Sequence, residues 1–398
     1  MATTRRRNLS LLTPLILVCI FSIFVALSLL LHWLATTTNN TDQFFPQTTT
    51  LSWQQQLRQG YSRRYPPDAN RTRDFVDSIR RHHPKSISTT YDIYNCPQKP
   101  PSDYPTAWNV LTVLDNWNPD NATVPQHIYQ GLCVFDYESD YDKALLYRHF
   151  ELPFVVRNTP QLLETVERWN RDSYLEKLMA NENDNKVEHS RNHHFMYWKL
   201  RHNQLPPNDW TPPTDIQSMS FSQWLSKAHR PNKDWYYFRF NAAYGSLHEF
   251  LYDELPFFRE PSFFIVDPHQ QRGINCRFGM EGVLAEAHYD SSRNFITVLG
   301  GSRRYILAHP RECQNLELYP IDHPSGRHSS VDWTSPKASG KFKEARVNEV
   351  LLQAGDALYL PTHWLHFIQS LDINYQCNAR SGATSHYVKH VQACGFPH

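Results

Sequence analysis

His288-Tyr289-Asp290 sets an imidazole and a carboxylate two residues apart, and His366 follows 76 residues after Asp290, inside GDALYLPTHWLHFIQSL. Two histidines and one carboxylate are the donor set of the facial triad that holds non-haem Fe(II) and leaves coordination positions open for oxygen chemistry. Along a strand, residues i and i+2 point the same way, so His288 and Asp290 share a face and Tyr289 turns from it. The triplet alone is a weak signal in a chain with 21 histidines. The second segment strengthens it. An apolar run at 357–361 follows the turn Ala354-Gly355-Asp356, and His366 then stands between Trp364 and Phe367. His363 is a competitor, expected one turn early, on the rim.

Those side chains need strands to carry them. Segments 278–282, 295–299, 304–308, 357–360, 366–371 and 375–380 read as short strands, with Gly300-Gly301 and Ala354-Gly355-Asp356 as turn signals. Many short, evenly spaced strands predict an antiparallel sandwich or jelly roll. Upstream, 152–156 reads as a buried strand. Thr159-Pro160 opens a helix through Leu162, Leu163, Val166 and Trp169, with Pro at its first position. Ser173 with Glu176, and Ser220 with Gln223, have the spacing of capping boxes. Residues 234–238 form an aromatic strand.

The 398 residues are 40% hydrophobic and 14% aromatic, enough for a packed core. A net charge of +1 argues against a surface that coats nucleic acid. From 11 to 34 there is no charged side chain. That meets the ~20 residues a membrane helix needs and exceeds the ~7–15 of a secretory signal's apolar stretch. Arg5, Arg6 and Arg7 precede it and mark the cytosolic side. The expected layout is a cytosolic tail (1–10), a transmembrane signal anchor (11–34), a lumenal stem (35–90), an irregular extension (91–150) and a catalytic domain (151–398). The expected topology is that of a single-pass type II protein of the endoplasmic reticulum, Golgi or cell surface; a cleaved signal peptide is the alternative. Asn39, Asn70 and Asn121 head glycosylation tripeptides on the lumenal side. Cys19 falls in the span. Cys96, Cys133, Cys276, Cys313, Cys377 and Cys394 make an even set suited to disulfides in an oxidising compartment, with the pairing left open. The basic stretch RRYPPDANRTRDFVDSIRRHHPK is read as a solvated stem surface.

HYDSSRNFITVLGGSRRYIL, LELYPIDHPSGRHSSVDW and GDALYLPTHWLHFIQSLDINYQCN resemble the cupin-type JmjC hydroxylases, nearest to the asparaginyl hydroxylases that act on hypoxia-inducible factor. The likeness covers roughly 151–381. It implies a double-stranded β-helix, Fe(II) and 2-oxoglutarate, with O2 as oxidant. By this resemblance the iron ligands fall on His288, Asp290 and His366. The co-substrate residues fall on Tyr237, Asn294, Arg303 and Asn378, with Arg303 offering a two-point donor to the far carboxylate.

This chain departs from that pattern at three positions. Arg303 stands where the family usually has lysine, Ala285 where a threonine commonly bonds the co-substrate, and Arg380 where an aromatic is usual. Arg380 alternates onto the face of Asn378 and is expected to meet the co-substrate or an acidic substrate. The expected function is a membrane-anchored 2-oxoglutarate-dependent dioxygenase, a hydroxylase of a protein side chain or small molecule, with no nucleic-acid partner. A catalytically weak cupin-fold binding module is the alternative. A cupin sugar isomerase is disfavoured by Asn294 and Arg303.

Overall fold

The computed structural model describes residues 26–30 and 51–397, apart from 182–184, 202–204, 209, 231–233, 260–261 and 338–339. The chain divides into two units, Met1–Gln56 and Leu57–His398. In the first, residues 26–30 are helical and exposed. The expected tail, the rest of the expected membrane segment 11–34, and stem residues 35–50 with Asn39 lie outside the described residues. Among the described residues no helix is long and apolar enough to cross a membrane.

The second unit is built on eight strands: β1 (Gln271–Gly279), β2 (Leu284–Tyr289), β3 (Asn294–Gly300), β4 (Ser302–Ala308), β5 (Arg346–Gln353), β6 (Ala357–Leu360), β7 (Leu365–Ser370) and β8 (Asn374–Ser381). They pair as β6-β3-β8-β1 in one sheet and β5-β4-β7-β2 in the other. Apart from β4 and β5, which pair with each other, successive strands shuttle between two facing antiparallel sheets, which is the expected jelly roll. Val134–Asp136 and Phe154–Arg157 extend the first sheet beyond β6. Trp235–Ala242, Asn185–Ser190 and Asp215–Met219 extend it beyond β1. Flanking helices include α1 (Ala69–Ile79), α2 (Pro160–Trp169), α3 (Tyr174–Leu178), α4 (Phe221–Ala228) and α5 (Val388–Ala393).

Alternation sorts the core. Ile296, Val298, Tyr305, Leu307, Val350 and Leu358 pack between the sheets. Phe278, Phe295, Leu299 and Tyr359 face outward from the first sheet, under the helices. Ile306, Ala308, Leu365 and Phe367 face outward from the second, under Trp333 and Phe342. With both faces covered, these strands are near-continuous apolar runs rather than alternating ones. Each such valine, leucine, isoleucine or phenylalanine contributes about 1.5–3 kcal/mol on burial.

Several expectations need correction. The strand expected at 278–282 is β1, which ends at Gly279; residues 280–283 turn instead, with Gly282 at φ +82°. The Ser220–Gln223 capping box forms, but that of Ser173 does not: Ser173 is left-handed (φ +53°) and its side chain caps nothing. The extension 91–150 is ordered, with helices Val110–Asn116 and Tyr141–His149 and a strand, Val134–Asp136, paired parallel to Phe154–Arg157. Nor is 57–90 a solvated stem. Helix α1 buries Thr72 and Val76. Arg71 pairs with Glu167 at 3.1 Å and Arg80 with Asp356 at 3.1 Å, and Arg81 donates to the Leu371 carbonyl. The charges that suggested solvation are the clamps that dock this segment. The six cysteines pair as Cys96–Cys133, Cys276–Cys377 and Cys313–Cys394.

Candidate active site

β2 and β7 run antiparallel with Ala285 opposite Ile368 and then His288 opposite His366. Between those pairs β2 contributes two residues, Glu286 and Ala287, against Phe367 alone, which is a β-bulge. Simple alternation from Ala285 would turn Ala287 inward and His288 outward. The extra residue re-aims the strand, so Ala285, His288 and Asp290 all reach one cavity of about 430 Å³. The His288 and His366 rings are 4.3 Å apart. One ligand atom each from His288, Asp290 and His366 lies within 4.8 Å of the others.

Hydrogen bonds fix which atoms face the site. Nδ1 of His288 is 2.7 Å from the Glu286 carbonyl, and Nδ1 of His366 is 3.0 Å from the Trp364 carbonyl. A carbonyl only accepts, so each Nδ1 carries the proton and each Nε2 keeps its lone pair. Burial, then His366 and His328, hold His288 well below the usual histidine range; burial also lowers His366. Burial alone would raise the Asp290 carboxyl, but the Arg380 guanidinium beside it outweighs burial and keeps the group ionised. Two neutral imidazoles braced by carbonyls and one carboxylate fit a divalent ion of the Fe(II) class.

The structure brings Tyr237, Asn294, Asn378 and Arg380 into the same cavity. Asn378 donates to Asn294 at 2.8 Å across β8 and β3. Arg380 donates to Oδ2 of Asp290 at 2.6 Å. Ala285 lines the wall with a methyl group and no donor. His363 is not among the lining residues; its N–H is held by the Asp290 carbonyl at 2.9 Å.

Arg303 takes a different place from the one expected. It is fully buried and outside the cavity lining. Its Nη1 donates to Tyr237 Oη at 2.9 Å and Gln376 Oε1 at 2.7 Å, its Nη2 to the Arg277 carbonyl at 2.8 Å, and its Nε to Asn374. Four of five N–H donors are thus spent on the protein. Arg277, whose carbonyl Arg303 holds, lines the cavity instead. It stands directly opposite Arg239, also in the lining. Burial lowers both guanidinia, to about 10 for Arg277 and about 9 for Arg239, with Arg277 the next cause for Arg239. Like charges opposite one another destabilise a sheet. Arg239 is offset by Glu188, whereas Arg277 donates in the structure to the Cys276 carbonyl. The sequence held one signal for this: Asn275 and Arg277 alternate with Cys276 and Phe278 in a strand whose other face is apolar. His328 stacks on His288 at 4.9 Å.

A family model described as a cupin-like domain matches residues 147–381. The chain belongs to the cupin-like domain family. Its relatives place it among the JmjC-type members, which typically use Fe(II) and 2-oxoglutarate. JmjC domain-containing protein 5 of Drosophila melanogaster is 25% identical over 228 residues, 55% of this chain and 51% of that protein. Lysine-specific demethylase JMJ30 of Arabidopsis thaliana is 24% identical over 229 residues, 56% and 48% of the two chains. The tRNA wybutosine-synthesizing protein 5 of Mus musculus is 33% identical over 125 residues, 31% and 35%. This cupin-like chain spans about half the length, or less, of these relatives.

Proposed function

We propose that this chain is an Fe(II)- and 2-oxoglutarate-dependent oxygenase that hydroxylates a substrate of the secretory pathway. The carrying observation is the cluster of His288, Asp290 and His366, set by a bulge on the wall of one cavity with both Nε2 lone pairs free of protons. When bound, Fe(II) and 2-oxoglutarate supply O2 activation coupled to release of succinate and CO2 and to insertion of one oxygen atom into a substrate C–H bond.

The protein's own part is to hold and orient. His288, Asp290 and His366 hold the metal, and the Glu286 and Trp364 carbonyls fix the two rings. Arg277 meets the far carboxylate of the co-substrate, relieving the charge it shares with Arg239. Arg303 acts behind it as a brace, bonding the Arg277 carbonyl and Tyr237. The paired amides of Asn294 and Asn378 supply further donors and acceptors in the cavity wall. The relatives' names include demethylases and a tRNA-modifying protein; both outcomes are compatible with C–H oxidation at such a site.

Anchorage by residues 11–34 and a lumenal body remain part of the proposal. Three disulfides, pairing all six cysteines outside that segment, support an oxidising compartment. The Arg380–Asp290 pair favours one other reading, a binding module in which the guanidinium occupies the carboxylate in place of a metal.

Succinate release by the purified protein, given Fe(II), ascorbate and 2-oxoglutarate, tests the choice. The expected result is turnover that His288→Ala, Asp290→Ala and His366→Ala abolish and His363→Ala retains. No turnover together with no Fe(II) binding would select the binding module.

A further inference from the structure

We infer that the substrate is an acidic peptide, seated in a groove that leaves the triad cavity past Arg327; its being a substrate rests on the oxygenase reading above. Four arginines line the triad cavity, Arg239, Arg277, Arg327 and Arg380, against two carboxylates, Glu188 and Asp290. Both carboxylates are already engaged, Glu188 by Arg239 and Asp290 by Arg380. A second cavity, of about 500 Å³, shares Tyr197 and Arg327 with the first and adds Lys199 and Arg201. None of its described lining residues is a carboxylate. Six cations and two anions thus line two cavities that share Tyr197 and Arg327, in a chain of net charge +1, so the charge is concentrated here rather than general. The charges of a divalent metal and a dicarboxylate co-substrate cancel, which leaves the surplus for a third, anionic participant. A cleft lined by one sign of charge raises the local concentration of its opposite.

Arg327 marks the junction. It is a non-glycine residue at φ +73°, a conformation that costs about 1–3 kcal/mol and persists where the surroundings impose it. There its guanidinium lies over the Tyr289 ring at 5.7 Å and donates to the Tyr289 carbonyl at 3.3 Å, in the wall common to both cavities. Beyond it, Lys199 is exposed and Arg201 donates to the Ile321 carbonyl at 3.1 Å. A lone phosphate or sulfate calls for cations converging on one point. These are strung from Arg380, at the triad, to Lys199 and Arg201 in the second cavity, which suits carboxylates spaced along a peptide. The ring of Tyr197, 50% exposed, stands in the shared wall, offering contacts to the apolar side chains of such a peptide.

Fluorescence anisotropy with the full chain tests this, using a labelled Asp/Glu-rich peptide, its Asn/Gln counterpart and a heparin oligosaccharide as probes. The acidic peptide is expected to bind at least about tenfold more tightly than the amide form, to weaken with added salt, and to lose about tenfold in Arg327→Gln and in Lys199→Gln. The exposed Lys199 position keeps the test decisive if the Arg327 variant fails to fold. Equal binding of the amide peptide, or tighter binding of the heparin oligosaccharide than of any peptide, would overturn the proposal. Binding needs no turnover, so the two readings fail separately. Acidic peptide bound without succinate release counts against the oxygenase reading alone; succinate release with no preference for acidic peptide counts against this one alone.

Discussion

Nη2 of Arg380 lies 2.6 Å from Oδ2 of Asp290, the carboxylate of the triad. Two effects compete there. The guanidinium repels an incoming cation, but its side chain is 37% exposed and its charge is partly screened by solvent. It also fixes the carboxylate rotamer, and outer-shell partners of this kind are worth about 10–100-fold in metal affinity. Orientation should win. Arg380→Ala is expected to bind Fe(II) about 10–100-fold more weakly in an anaerobic titration; an unchanged affinity would show that the pair plays no part in metal binding.

Arg277 and Arg303 should separate by readout. Arg277→Ala is expected to lower 2-oxoglutarate affinity at least about tenfold by calorimetry, with melting temperature held or raised, because the repulsion with Arg239 is relieved. Arg303→Ala strands the buried acceptors on Tyr237, Gln376, Asn374 and Arg277 and should cost about 1–3 kcal/mol of stability for each acceptor left unsatisfied. The reverse pattern, with co-substrate binding lost only at Arg303, would return the anchor to that residue.

That contrast shows where the sequence stopped being legible. Alternation puts Arg303 on the same face as Tyr305, toward the barrel interior, but period-two patterning carries no depth, so the floor and the cavity wall read alike. Arg277 was hidden differently: it is one of 40 basic residues, in a strand that the pattern placed seven residues late. The triad was legible for a physical reason. His288 and Asp290 share a face by local geometry alone, and Trp364 and Phe367 mark His366 as buried. The bulge at Glu286 and Ala287, which aims His288 inward, comes from pairing with β7 and has no local signature. The same limit applies to the 57–90 segment. A charged surface looks solvated until its partners, Glu167 and Asp356, are known from the fold.

The Cys276–Cys377 disulfide staples β1 to β8 across a sequence separation of 101 residues. Arg277 and Asn378 are its immediate neighbours and both line the cavity. Closing a loop of that size is worth roughly 2–5 kcal/mol. Cys276→Ala/Cys377→Ala should melt lower, and its co-substrate affinity should fall with the loosened strand pair. A double variant with unchanged melting temperature would show that β1 and β8 need no covalent tie.

Acid should destabilise the protein through buried histidines. Burial, chiefly, draws His83 and His328 down to about 4 and His309 to about 3; the nearby arginines Arg157, Arg327 and Arg311 act in the same direction. An unfolded histidine titrates near ~6.5. Between about pH 6.5 and 4 the unfolded chain therefore binds protons that the folded chain does not, and stability falls as pH drops through that window. Near pH 5 each such histidine removes about 2 kcal/mol. The bonded pair His194 and Glu286 is shifted upward and offsets part of the loss. With chelator present, so that metal release contributes nothing, melting at about pH 5 should lie more than about 5 °C below that at pH 7.5. His309→Asn should flatten the dependence, since asparagine can accept the Arg311 N–H that His309 now accepts at 3.1 Å without offering a site to protonate. Equal melting temperatures at the two pH values would mean that these rings are hydrated in solution and carry no linkage.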